Sequence, residues 1–315
     1  SFIYNFDGNS WSTPSVVASI CQARAAIAGG SQNSGIVAGG YQGGVLNKGF
    51  TFDGTSFTAT ANLNNARNML GGWGNANSAI VAGGVSPGHR TYTELWDGTT
   101  WSETSDLINA GKSGGAAGAQ AESGIHTTGG SRFTPGVSGS EQFYSASFGH
   151  PSEFGQVSGS HPSGGADYSH LLDYEAGHIR GNLISGVWSV GGSLIIARKI
   201  GSLATGVENA ALVGDIRGAP NAKASEYDGN TWTAAPDMIQ ARGFGAAAGT
   251  QNASFFAGGT TPGTYAVPTE DYNGVAFSNI ANSNLNTGRQ KIGSAGSQNA
   301  GLVFGGSSSP KQQTE

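Results

Sequence analysis

Four of the six histidines fall in one stretch, His150, His161, His170 and His178, with Asp167, Asp173 and Glu175 among them. Imidazole and carboxylate together suit a transition metal, and His170, Asp173 and His178 are the set that could act as ligands. Their spacing matches no established metal motif, so the preferred reading is a solvated segment that contacts a neighbouring subunit or domain. Tyr168 and Tyr174 in the same stretch are candidate contact residues, as interface anchors or a sugar-stacking surface. The single cysteine, Cys21, sits among Ile20, Ala23 and Ala25 and reads as a small core residue rather than a nucleophile. One cysteine also precludes an internal disulfide. Gly71-Gly72-Trp73-Gly74 lacks the lysine and helix of a phosphate loop. No catalytic residue and no cofactor is assigned, and the chain reads as a non-enzyme.

Composition narrows the partners. Charged residues are 11% of the 315, against a usual ~25%, and the net charge is −5. No run is basic, so nucleic acid is not an expected partner. No stretch of 18 apolar residues exists, so no membrane span is expected. Hydrophobic residues at 37% suffice for a core, which argues against disorder. The 54 glycines follow no three-residue period, which excludes collagen.

What organises the chain is an internal repeat. Segments of the form Phe6-Asp7-Gly8-Asn9-Ser10-Trp11 recur at Phe52–Phe57, Trp96–Trp101, Tyr227–Trp232 and Tyr272–Phe277. A sixth copy is split, with Phe143-Tyr144 at its start and Trp188 at its end. The closing aromatics Trp11, Phe57, Trp101, Trp188, Trp232 and Phe277 are separated by 46, 44, 87, 44 and 45 residues. The long gap is one period plus an insertion, placed at 148–186 in the fourth repeat. Three more markers keep the same beat. Paired glycines end apolar runs at Gly39-Gly40, Gly83-Gly84, Gly129-Gly130, Gly258-Gly259 and Gly305-Gly306. Ala-Arg follows the closing aromatic at Arg24, Arg67, Arg198 and Arg242, with Lys112 and Arg289 in the two looser copies. Gln-Asn precedes the apolar run at Gln32, Gln251 and Gln298, with Glu208-Asn209 as a variant.

Each repeat reads as four short strands. Strand a follows the Ala-Arg, as in Ala23–Ala28. Strand b is the apolar run before the glycines. Strand c ends in the aromatic before Asp-Gly, as in Thr91–Trp96, and alternates as a half-buried strand should. Strand d begins at the closing aromatic, after an Asp-Gly turn in which glycine takes positive φ cheaply. Four strands per ~45-residue period, six times, make an all-β, six-bladed β-propeller. Residues 1–13 hold only strands c and d, and residues 289–306 only a and b. One blade is therefore expected to be shared between the chain ends, within a single domain over 1–315 that carries a tail at 307–315. Thr314-Glu315 looks like another strand c start (compare Thr93-Glu94 and Thr269-Glu270), and a longer native chain is the expectation.

Paired glycines, an aromatic-Asp strand and a following tryptophan resemble the kelch repeat of β-propellers over all but the insertion. The variant with Ala-Arg, Gln-Asn-Ala and Tyr-Asp-Gly-Asn-Thr-Trp looks like kelch-like repeats in structural proteins of marine tailed phages. Leu95-Trp96-Asp97 resembles a WD dipeptide, but the other copies have Phe-Asp or Tyr-Asp there. The Asp-box of sialidases has one more residue between Asp and Gly. A galactose-oxidase-like copper site needs a Tyr-Cys crosslink, and Cys21 has no suitable tyrosine beside it.

The resemblance implies a virion structural protein: a tail fibre, baseplate or capsid appendage that presents loops for host attachment or packing. Its partners would be other virion proteins or a host-surface glycan or receptor, with oligomerisation through virion symmetry. The alternative is a secreted or cell-surface carbohydrate-binding propeller of a bacterium. The aromatics and arginines of the repeat read as structural, the tryptophans packing between blades and the arginines bonding carbonyls or a carboxylate there. The b–c loops after the paired glycines are the candidate contact surface, with Tyr41, His89, Arg90, Phe133 and Tyr265 its most distinctive side chains.

Overall fold

A computed structural model describes residues 3–13, 27–110, 112–121, 123–129, 139–146, 185–196, 203–214, 222–261, 264–266, 268–281 and 283–308. Among them are six four-stranded antiparallel sheets and no helix. The sheets are numbered here by their closing aromatic. Blade 1 joins Gly293–Ser297 and Ala300–Phe304 (a, b) to Ile3–Phe6 and Trp11–Ser12 (c, d). Blade 2 is Ile27–Ser31, Ser34–Ala38, Gly49–Phe52 and Phe57–Ala59. Blade 3 is Gly71–Gly74, Ala79–Ala82, Thr93–Trp96 and Trp101–Thr104. Blade 4 is Lys112–Gln120, Ser123–Gly129, Ser140–Ala146 and Ser185–Val190. Blade 5 is Leu203–Val207, Ala210–Gly214, Ala224–Tyr227 and Trp232–Ala235. Blade 6 is Ala246–Thr250, Ala253–Ala257, Thr269–Tyr272 and Phe277–Asn279. Each strand a contacts the strand a of the blade on either side, so the six close a ring. The molecule is a six-bladed β-propeller, and blade 1 is closed by Ile3–Phe6 pairing with Gly301–Phe304.

The core is divided among the seams. Among the described residues there are six apolar clusters, one at each junction between blades. Alternation along a strand sends successive side chains to opposite faces, and here both faces meet another blade. Ala79 and Val81 face blade 2, whereas Ile80 and Ala82 face blade 4. Strand c of blade 3, expected to be half-buried, is therefore buried at all four positions.

Strand a also begins later than its marker suggests. It starts at Gly71, four residues beyond Arg67, and at Ala246, four beyond Arg242. The arginine sits in the crossover from strand d. Two residues after it the chain takes a positive φ at Met69, Phe244 and Lys291, and this turns the crossover into strand a. The crossover is anchored by a marker that sequence reading overlooked, an apolar residue four before the arginine. Leu63, Met238 and Leu285 fill it, as do Leu107 and Leu194 in the corresponding crossovers, and all five are buried.

The four-residue Asp turn owes more to its carboxylate than to aspartate's backbone. Asp97 Oδ1 accepts the amides of Thr99 and Thr100 at 2.8 and 2.7 Å, and Oδ2 accepts the Thr100 hydroxyl. Asp7, Asp53 and Asp228 repeat this, and Asn273 supplies the same amide bonds in blade 6. The amide three residues on is the largest cause holding the carboxyls of Asp7, Asp53, Asp97 and Asp228 below their ordinary range. The next residue is glycine with positive φ, and it lies against the Asn of the a–b hairpin, as Gly54 does on Asn33.

The 148–186 insertion lies outside the described residues except for its last two. It joins Ala146 at the end of strand c to Ser185 at the start of strand d. In the tail, Ser307–Ser308 pair with Arg289–Gln290; 309–315 lie outside the described residues.

Candidate functional site

The two ends of the ring differ. One end carries the a–b hairpins and the Asp turns. The other carries the b–c loops and the crossovers. Most of the sequence markers serve the seams that run between these ends.

The closing tryptophans reach back one blade. Trp11 Nε1 donates to Thr269 Oγ1 at 2.9 Å, Trp188 Nε1 to Thr93 Oγ1 at 3.2 Å, and Trp232 Nε1 to Ser140 Oγ at 3.3 Å. Trp188 Nε1 also reaches Ser105 O at 3.0 Å, and in all three the first strand c residue of the preceding blade accepts. Where that residue is Ile3 or Ala224, the closing aromatic of the next blade is Phe57 or Phe277, which has nothing to donate. Blade 3 breaks the rule. The equivalent residue of blade 2 is Gly49, and the buried Nε1 of Trp101 has no hydrogen-bond partner.

The arginines sit in the same seams, fully buried. Arg67 Nη1 donates to the carbonyls of Gly83 and Tyr92, and Nη2 meets Glu94 Oε1 at 2.7 Å. Arg242 repeats this with Gly258, Pro268 and Glu270. At Arg289 the strand c position that Glu94 and Glu270 occupy is held by Tyr4. Arg289 donates to Gly305 O and lies over the Tyr4 ring at 5.2 Å. Each side chain therefore binds the blade that it leads into. Its backbone carbonyl binds the blade behind, as Gly40 N to Arg67 O and Gly259 N to Arg289 O, both 2.8 Å. Burial lowers the guanidinium pKa of Arg67 and Arg242, and the paired glutamate opposes the shift. The glutamates also accept crossover amides, Glu94 from Asn64 and Glu270 from Ile239, each at 2.7 Å. Arg24 and Arg198 lie outside the described residues.

The glutamines of the Gln-Asn turns clasp the seam at the other end. Gln32 Nε2 donates to Phe6 O and Gly301 O, and Gln251 Nε2 to Ala211 O and Tyr227 O, always on the preceding blade. At the seam between blades 4 and 5, where Glu208 replaces Gln, the clasp is reversed. Gln142 of blade 4 donates to Glu208 O and Gly229 O, while Glu208 accepts from Ser123 Oγ at 3.0 Å.

Of the expected contact residues, Tyr41 is exposed on the b–c end. Its loop forms a small hairpin, Tyr41 bridging Val45, which blade 3 repeats with Val85 bridging His89. His89 is exposed at the tip. Arg90 Nε donates to Ser86 O at 2.6 Å, and its guanidinium stands 5.7 Å over the Tyr92 ring. Thr264–Tyr265 pairs with Thr260–Thr261 in the corresponding loop of blade 6. Phe133, Tyr168, Tyr174, His170, Asp173 and His178 lie outside the described residues. Ile108, Ile195 and Ile239 occupy equivalent crossover positions on this end and are each about half exposed.

The opposite end holds a cavity of about 580 Å³ on the ring axis. It is lined from all six blades, at the a–b hairpins. Gly30, Gly74, Gly118, Gly206, Gly249 and Gly296 form a ring around it. Five of the six have positive φ, and a Cβ on Gly30 would stand 1.9 Å from Ser34 O. Glycine is therefore obligatory there, and backbone rather than side chain surrounds the axis. Ser31, Ser34, Thr250, Asn252, Val207 and Ala210 complete most of the wall, and among the described residues no ionisable side chain lines it. Sequence reading missed this site, since its six glycines are lost among 54.

No protein-family model matches this chain, and no curated protein matches it either. Among the described residues no group of three or more His, Cys, Asp or Glu is placed to hold a metal, and no helix is long and apolar enough to cross a membrane.

Proposed function

We propose that this propeller is a kelch-like, non-enzymatic component of a virus particle, a tail fibre, baseplate or capsid appendage of the tailed-phage kind. It presents its loops to a host surface or to neighbouring virion proteins. The observation that carries this reading is how the repeat uses its reactive side chains. Buried Arg67, Arg242 and Arg289 are consumed in hydrogen bonds to carbonyls and partners of their own blades. The repeat aspartates are consumed in capping their turns. The seams are built for rigidity, and the side chains that differ from blade to blade stand on the loops, as Tyr41 and His89 do. Paired glycines, both at positive φ in Gly39-Gly40, Gly83-Gly84, Gly258-Gly259 and Gly305-Gly306, support the kelch resemblance.

The test is mass spectrometry of purified intact particles. The reading requires this chain to co-purify with a capsid protein in fixed stoichiometry. Recovery in the soluble secreted fraction without particles refutes it and favours a secreted carbohydrate-binding propeller.

A further inference from the structure

We propose that the axial cavity at the a–b end is a binding site for a neutral saccharide. The inference rests on the reading of the chain as a binding module, but not on where that module works. The first argument is size and placement. A volume of about 580 Å³ falls within the ~300–1,000 Å³ of small-ligand sites, and the cavity is walled by all six blades. It is also preformed. The glycine ring cannot be filled by side chains, because a Cβ on Gly206, Gly249 or Gly296 would lie 2.2, 2.2 or 2.1 Å from the carbonyl across its hairpin.

The second argument is chemistry. Ser31, Ser34 and Thr250 in the wall carry hydroxyls. None of these three side chains bonds to another described residue. Hydroxyls both donate and accept, as sugar hydroxyls do. Val207 and Ala210 of blade 5 add a small apolar strip against which the C–H face of a sugar ring can lie. Among the described residues no Asp, Glu, Lys, Arg or His is in the lining, so none of these supplies a counter-charge to a charged ligand. An anion would also meet a chain of net charge −5. The neighbouring polar groups are committed elsewhere, Gln251 to the carbonyls of Ala211 and Tyr227 and Asn75 Oδ1 to the amides of Asn77 and Ser78. The Asn252 carboxamide lies against Gly274, which leaves Ser31, Ser34 and Thr250 as the contact set, at the end of the ring opposite Tyr41 and His89.

The experiment titrates the purified chain with galactose, glucose, mannose, N-acetylglucosamine and lactose, and with sialic acid as the charged comparison, by saturation-transfer NMR and calorimetry. Ser31→Trp and Thr250→Trp fill the cavity from two blades. Both positions are exposed at hairpin ends, so the ring is expected to stay folded, which thermal unfolding checks. Tyr41→Ala is the control on the other end. The expected result is binding of at least one neutral sugar and not of sialic acid. Each tryptophan variant should weaken that binding about tenfold or more by occupying the cavity, and Tyr41→Ala should leave it unchanged. Three outcomes overturn the proposal: no neutral sugar binds, sialic acid binds in preference, or folded tryptophan variants bind as tightly as the parent. These outcomes are separate from the particle experiment. A chain that co-purifies with capsid yet binds none of these sugars keeps the virion reading and loses this one.

Discussion

His126 makes blade 4 the acid-sensitive part of the ring. Its position on strand b is occupied by Val37, Val81, Val213, Phe256 and Val303 in the other blades. It is fully buried, neither ring nitrogen has a hydrogen-bond partner, and the ring meets Trp188 edge-on at 6.1 Å. Glu141 lies across the strand pair, but its carboxylate is taken up by the amides of Ile108 and Asn109. Burial alone pushes the imidazole pKa from 6.5 down to about 4. The folded chain thus binds this proton more weakly than the unfolded chain. Stability is unaffected by it above pH 6.5, falls as the pH drops from there, and has lost its full share once the pH is below about 4. A shift of that size corresponds to about 3 kcal/mol. His126→Val restores the residue most blades use. Urea denaturation of parent and variant, followed by tryptophan fluorescence from about pH 7.5 to about pH 3.5, isolates the effect, because every other titrating group is common to both. The variant's advantage should grow by about 3 kcal/mol on acidification. Parallel profiles, or a parent that gains on the variant in acid, would refute the reasoning.

The remaining predictions concern the seams and turns. Trp11→Phe, Trp188→Phe and Trp232→Phe each remove a buried hydrogen bond that Trp101→Phe does not, so Trp101→Phe should be milder by about 1 kcal/mol in denaturant unfolding. Arg242→Met strands the buried Glu270 carboxylate and should cost about 3–5 kcal/mol; a loss under 1 kcal/mol, measured the same way, would contradict the buried pairing. Asp97→Asn should unfold near the parent's melting temperature, since Asn273 caps the same turn in blade 6, whereas Asp97→Ala should melt clearly lower. The Asp97 carboxyl is held below its usual range, so its contribution is present at neutral pH and lost as the pH falls through the lowered value. The melting-temperature gap between parent and Asp97→Ala should therefore narrow in acid.

The architecture was legible because a propeller repeats one set of contacts six times, and each contact leaves a residue at a fixed spacing. Trp11, Trp188, Trp232, Gln32 and Gln251 make seam contacts of one kind, with local substitutions at other junctions. Strand edges were less legible. Arg67 looked like the threshold of strand a, but the crossover needs four more residues and a positive φ at Met69 to reach the axis. The Arg67–Glu94 pair spans 27 positions, and nothing local in the sequence links its members. Glu94 could have been found by noting that Thr-Glu opens strand c in both blade 3 and blade 6, where Arg67 and Arg242 pair with the glutamate. The axial cavity was illegible for a different reason. Its defining property is the lack of side chains, and glycine is abundant everywhere in this chain.

Blade 1 sets the order in which the molecule can be completed. Strand Ile3–Phe6 is synthesised before the strands of the other five blades, whereas its partner Gly301–Phe304 is synthesised after them. At ~5–20 residues per second, the early strand waits on the order of 15–60 s for that partner. Through that interval one side of it is an unpaired edge, the kind of surface that recruits other strands. Until then the blades form an open arc, and the pairing of these two strands decides between closing the ring and joining a neighbour. Crowded ribosomes translating the same message would favour the neighbour, so the yield of soluble rings should fall as expression is driven harder.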